Sequence, residues 1–164
     1  MSKTRSGKYY CKNKEKYQGN SDNIIYRSGW EHMLMRWLDE NPDIVKWSSE
    51  ETIVPYISPV DNKQHRYFVD FTATFKNGQT LLIEVKPKYQ TVPPKIKNSK
   101  TQKGQQKILA EMETFAVNDA KWKAADKYAQ QRGMKFCIFT EESLQDLGIH
   151  IYKKYNNKIK KPKQ

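Results

Sequence analysis

Strict alternation of apolar and polar positions marks the middle of the chain. Tyr67, Val69, Phe71, Ala73 and Phe75 share one side of a first strand, and Leu81, Ile83 and Val85 share one side of a second. Asn77-Gly78 supplies the turn between them. If the loop is only those two residues, Lys76 pairs with Gln79, and Asp70 and Glu84 emerge on opposite surfaces. If the loop is Lys76-Asn77-Gly78, with Gly78 left-handed at a bulge, Phe75 pairs with Gln79 and Asp70 stands opposite Glu84. The second register is expected, because it keeps the aromatic face of one strand over the aliphatic face of the other.

The flanking segments switch to helical spacing. Trp30, Leu34, Trp37 and Leu38 form a stripe behind Ser28, which can cap the helix with Glu31 three positions on; Asn41-Pro42 closes it. Ile44 to Trp47 reads as a short extended lead into a first sheet strand, Glu50 to Ile57, where Pro55 implies an edge. After the hairpin, two helices are expected. Gln105 to Val117 carries Ile108, Leu109, Met112, Phe115 and Ala116 as a core face. Asp119 to Gln131 carries Trp122, Ala125, Tyr128 and Ala129, with Asn118 as its cap and Gly133 ending it left-handed. Met134 to Thr140 is a strand reached by a crossover, hence parallel to one already in the sheet, and Glu141 to Leu147 a short helix or turn. The fold class is therefore α/β: a helix, a three-stranded antiparallel meander, helices, and a further strand added in parallel to give a mixed sheet.

A chain of 164 residues holds one domain with tails. The expected division is a basic arm over residues 1–21, a domain over 22–150 and a basic tail over 151–164. Thirty Lys and Arg stand against eighteen Asp and Glu, a net charge of +12, which favours a polyanion as partner and nucleic acid over a membrane surface. Neither a transmembrane run nor an apolar leader is present in the sequence, so a cytoplasmic location is expected. Cys11 and Cys137 are not placed to form a structural disulfide, and His32, His65 and His150 do not join them at zinc-like spacing. The first arm either stays solvated or follows a phosphate backbone, with Tyr9, Tyr10 and Tyr17 available to pack on sugar or base. From Lys86 to Lys107 no acid interrupts the lysines, and Pro87, Pro93 and Pro94 exclude regular structure for much of the span. This stretch is either a solvated loop or a contact to the DNA backbone through Lys88, Lys95, Lys97, Lys100 and Lys103; the tail adds Lys153 and Lys154.

Two carboxylates placed side by side repel, and a divalent cation turns that cost into affinity. Asp70 and Glu84 are hard oxygen donors suited to Mg²⁺ or Mn²⁺, and the Val85 carbonyl is a further donor. Lys86 returns to the Glu84 face one strand repeat on, where an ammonium orients a water or holds a phosphate oxygen rather than acting as a base. Glu31 either caps its helix or aims a carboxylate at the sheet to hold a bound water or a second ion.

Glu31 in SGWE, Asp70 in Val69-Asp70, and Glu84 with Lys86 in IEVK resemble the ordered motifs of the restriction-endonuclease-like PD-(D/E)xK nuclease superfamily. More closely, YRSGWEHMLMRWLDENPDIVKW, FVDFTATFKNGQTLLIEVKP and KWKAADKYAQQRGMKFCIFTEE are similar to the endonuclease subunits of Tn7-type transposases and the head-completion nucleases of T-even-like tailed phages. The resemblance spans roughly residues 26–147. It implies a restriction-endonuclease-like core and a Mg²⁺-dependent DNA endonuclease, with Asp70 and Glu84 as ligands, Lys86 as catalytic lysine and Glu31 as the helix acid. Val69 stands where the superfamily name has proline, and Glu84 where the transposase branch can carry glutamine. The short chain favours the phage-like relative, with head or portal proteins and a second copy of the chain as further partners. The competing reading is a non-catalytic DNA-binding component of a phage head or neck; an RNA-binding module lacks its aromatic strand pair.

Overall fold

The computed structural model describes residues 6–96 and 98–151. In chain order the elements are β1 (Gly7–Tyr9), β2 (Ile24–Tyr26), α1 (Gly29–Glu40), β3 (Ile44–Ser49), β4 (Ile53–Ile57), β5 (Gln64–Phe68), β6 (Phe71–Phe75), β7 (Thr80–Val85), α2 (Gln102–Gln130), β8 (Lys135–Phe139) and α3 (Glu141–Asp146). The central sheet runs β3-β6-β7-β8: the first three are antiparallel, and β8 joins β7 in parallel after the α2 crossover. This is the mixed α/β sheet of a restriction-endonuclease-like core.

The hairpin adopts the three-residue loop. Gly78 has φ +85°, a conformation that glycine alone takes without strain. The Gly78 N–H donates to the Phe75 carbonyl and the Phe75 N–H to the Gln79 carbonyl. Phe71 then pairs with Ile83 and Thr72 with Leu82; the ladder ends there, one residue short of Asp70 and Glu84, and its register brings these two carboxylates beside each other.

Three expectations change. The strand expected from Tyr67 to Phe75 is two strands, bent at Val69-Asp70, and the lead-in at Ile44 is itself the sheet strand. Ser49 pairs with Phe71 but Ile53 pairs with Phe68, so three residues, 50–52, lie opposite two, 69–70. This bulge, with Glu50 at φ +55°, bends both chains together and turns Ile53 to Ile57 into a separate β4-β5 ribbon. The bend also reverses which side the alternating residues face. Phe71 and Ala73 bury with α1, Trp47 and Ile83 on one side of the sheet; Tyr67 and Val69 bury with Val54, Leu82 and Ala125 on the other.

Second, the two helices expected after the basic loop are one, α2, with Asn118 inside it and Thr101 as its cap. Its C-terminal half packs through Trp122, Ala125 and Ala129, and Gly133 follows at φ +68°. Its N-terminal half projects from the body, leaving Leu109 58% and Met112 44% exposed where a core face is expected. The helical period holds, but among the described residues no buried core forms against Leu109 and Met112.

Third, the described part of the N-terminal segment is folded rather than loose. Tyr9, Cys11 and Tyr17 are buried, so only Tyr10 of the three tyrosines remains on the surface. The anchor is Asp39, fully buried near the end of α1. Its carboxylate accepts from Tyr9 Oη at 2.8 Å, Lys12 N at 2.7 Å, Asn13 N at 3.0 Å and Cys11 Sγ at 3.4 Å. Burial acts to raise the Asp39 carboxyl, but the bonds from Lys12, Tyr9, Asn13 and Cys11 outweigh it and hold the group below the usual carboxylate range. Among the described residues no helix is long and apolar enough to cross a membrane.

Candidate active site

The bulge that divides the long strand also builds the site. Past Phe71 the chain leaves the ladder, and the Val69 N–H turns to the Thr52 carbonyl. The next peptide group of β7, at Val85, therefore has no strand beside it, and its N–H donates to Asp70 Oδ2 at 2.8 Å instead. A residue's carbonyl points to the same side of a strand as its N–H, so the Val85 carbonyl faces Asp70 as well. On its other side β7 stays in register with β8, where the Lys86 N–H donates to the Phe139 carbonyl at 3.0 Å.

Glu84 is buried, and its Oε2 accepts from Tyr67 Oη at 2.5 Å. Its Oε1 lies 3.4 Å from Lys86 Nζ. Burial, then the negative charge of Glu84, push the Asp70 carboxyl well above the ordinary carboxylate range. The Val85 N–H opposes that rise, Glu31 adds to it, and Lys86 offsets part of it. Burial, and then Glu84, likewise raise the Tyr67 phenol, which keeps it a proton donor to the carboxylate.

Asp70, Glu84, Lys86 and the Val85 carbonyl are thus brought together. Glu31 serves its helix: its N–H donates to Ser28 Oγ at 3.2 Å, while its carboxylate accepts from Ser28 Oγ at 3.0 Å and from the Arg27 N–H at 2.8 Å. Its charge still reaches Asp70. Lys88 is not a free cation, because its Nζ pairs with Glu142 at 2.7 Å and its N–H donates to Glu141 at 2.8 Å, pinning the start of the basic loop to α3. Lys95, Lys100 and Lys103 are exposed, Lys103 on α2; Lys97, Lys153 and Lys154 lie outside the described residues.

Two side chains near these carboxylates escape a reading of the sequence. Alternation marks Tyr67 only as a strand residue, and its reach to Glu84 depends on the bend that swings β5 to the α2 side. Arg27 pairs with Glu50 through Nε at 2.8 Å and Nη2 at 3.1 Å. Only the positive φ at Glu50 could signal it, and that is invisible in a glutamate.

Among the described residues no group of three His, Cys, Asp or Glu side chains converges as a metal cage. The donor set is instead two carboxylates and a peptide carbonyl, all hard oxygens. One oxygen of each carboxylate is committed to a protein hydrogen bond; Asp70 Oδ1 and Glu84 Oε1 remain, the latter with Lys86 Nζ 3.4 Å away. Burial, and then the charge of Glu84, disfavour an ionised Asp70, and a hard divalent cation would offset that cost.

Residues 41–141 match the family described as TnsA-like endonuclease N terminal, a span that includes Asp70, Glu84 and Lys86 and begins after Glu31. The chain is also similar to the head completion nuclease of Enterobacteria phage T4, with 43% identity over 144 residues, covering 88% of this chain and 96% of that protein. A match over most of the chain, with the paired carboxylates and the lysine inside it, places this protein in the TnsA-like family of DNA endonucleases.

Proposed function

We propose that this chain is a divalent-metal-dependent DNA endonuclease, with Mg²⁺ as its ion and Mn²⁺ able to replace it, that processes phage DNA during head completion or packaging. The observation that carries the reading is Asp70 set across from Glu84 beside Lys86, in a chain of the TnsA-like endonuclease family. Endonucleases of this family generally work with divalent metals, and the oxygen donors here suit one. The name of the phage relative supports the setting. Head or portal proteins and a second copy of the chain are the partners this reading adds to DNA, in the host cytoplasm and with the virion.

In this mechanism Asp70, Glu84 and the Val85 carbonyl would hold the cation, whose positive charge would oppose the charge that develops on the scissile phosphate. The Val85 N–H and Tyr67 Oη fix the two carboxylates, so neither reorganises when an ion arrives. Lys86, anchored on Glu84, orients the attacking water or holds a phosphate oxygen. Glu31 supplies the helix entry and a third negative charge. The basic loop, α2 and the tail contact the sugar-phosphate backbone through Lys95, Lys97, Lys100, Lys103, Lys153 and Lys154, without base specificity.

The direct test incubates purified protein with supercoiled and linear DNA in Mg²⁺, Mn²⁺ or chelator. Nicking that needs a cation and stops with chelator is expected; intact DNA in every cation overturns the reading. Tyr67→Phe should weaken Mn²⁺ binding by roughly 10–100-fold, the usual effect of removing a group that orients a ligand. Unchanged Mn²⁺ affinity in a folded Tyr67→Phe would reduce Tyr67 to a packing residue. A chain ending at Ile151 should bind DNA more weakly and with a shallower salt dependence, while its metal uptake is unchanged. Equal affinity and salt dependence would remove the tail from the interface.

A further inference from the structure

Arg27 stands immediately before the Ser28 cap of α1, and its backbone N–H is held by Glu31. Its guanidinium lies side-on to Glu50, making both contacts through Nε and Nη2. That leaves Nη1 without a partner in this contact, on a side chain 66% exposed. Glu50 raises the Arg27 basicity most, and Glu31 and Asp70 add to it. The guanidinium is tied to the carboxylate site through Glu50, the residue whose N–H bonds the Asp70 backbone.

Glu50 is also the residue that the bulge holds in a left-handed conformation, with its N–H donating to the Asp70 carbonyl at 3.1 Å. A left-handed backbone costs a glutamate more than an exposed ion pair returns. The strain is thus not repaid by the Arg27–Glu50 contact as a staple. One distortion ties the Glu50 N–H to the Asp70 carbonyl and presents a carboxylate that fixes the plane of the Arg27 guanidinium.

We infer that Arg27, aimed by Glu50, is a phosphate clamp that binds a non-bridging oxygen of the DNA backbone at the cleavage site. A planar guanidinium with free N–H groups suits that oxygen geometry, and holding it beforehand removes the ordering cost at the moment of binding. Glu50 is a positioning residue, acting through Arg27. The inference rests on the nuclease reading above.

The test measures single-turnover cleavage at saturating DNA, and separately DNA affinity against salt without metal, for wild type, Arg27→Ala, Arg27→Lys, Glu50→Gln, Glu50→Gly and Asp70→Asn. Thermal melting confirms that each variant is folded. Arg27→Ala should cut roughly 10²-fold more slowly, as expected for loss of a donor to developing charge. It should lower the salt slope by about 0.9, the effect of one lost phosphate contact. Arg27→Lys should recover part of the rate. Glu50→Gln should lose less than Arg27→Ala. Glu50→Gly should melt no lower than wild type while cutting as poorly as Glu50→Gln. Arg27→Ala cutting within twofold of wild type while Asp70→Asn is inactive overturns the clamp alone. Wild-type protein that leaves DNA intact in every cation overturns the nuclease reading and the clamp with it.

Discussion

Asp70→Asn should abolish cleavage, by at least about 10³-fold, and at the same time raise the melting temperature of the metal-free protein. Both effects have one cause. Asparagine keeps an oxygen for the Val85 N–H but removes the charge that burial and Glu84 oppose. Because the folded state holds the Asp70 proton at pH values where the unfolded chain has released it, stability is lost as pH rises from about 4, the unfolded carboxylate value. The Asp70→Asn chain escapes that loss. Its advantage should be absent below pH 4, open above it and level off once Asp70 is ionised in the folded wild type. At neutral pH the Asp70→Asn chain should therefore melt above wild type. Excess Mn²⁺ should reverse the order, since an ion at 100 times its Kd stabilises only the chain that binds it, by about 2.7 kcal/mol. Melting curves across pH, with and without Mn²⁺, check each part; an Asp70→Asn chain less stable than wild type without metal would show that the pair is not repulsive.

The second large effect is on stability. Asp39→Ala should cost about 3–5 kcal/mol, because it leaves two backbone N–H groups and the Tyr9 hydroxyl without their acceptor in a buried site. The N-terminal segment, β1 and β2 should detach first, exposing Trp47, which packs edge-on against both Tyr9 and Tyr17. The Asp39 carboxyl is held low in the folded state, so its contribution is present above the unfolded value near pH 4 and lost as pH falls through the folded one. Denaturant melts of Asp39→Ala and wild type should therefore differ fully at neutral pH and converge in acid. A difference under 1 kcal/mol at pH 7 would mean that the segment is held by its apolar contacts alone.

What the sequence makes legible follows from how local each signal is. The hairpin register comes from Asn77-Gly78 and the alternation on both sides, both contained within twenty residues. The α1 entry comes from Ser28 and Glu31, and the parallel β8 from the order helix-then-strand. The errors are tertiary. A bulge at an ordinary glutamate leaves no compositional mark, so the bend between β5 and β6 is hidden, along with the contacts that Tyr67 makes to Glu84 and Arg27 to Glu50. The N-terminal segment looks like a loose basic arm because its partner, Asp39, lies more than twenty residues away. The outer half of α2 has the apolar spacing of a buried helix, and spacing does not report whether anything covers it.

The chemistry depends first on Asp70 and Glu84 forming a binding site for a hard divalent cation. Calorimetric titration of Mn²⁺ into wild type, Asp70→Asn and Glu84→Gln, each with and without DNA, tests this most directly. Saturable uptake by wild type, with proton release from Asp70 and loss of binding in both variants, is the predicted result. Equal uptake by all three chains, or none by wild type even with DNA present, would contradict it.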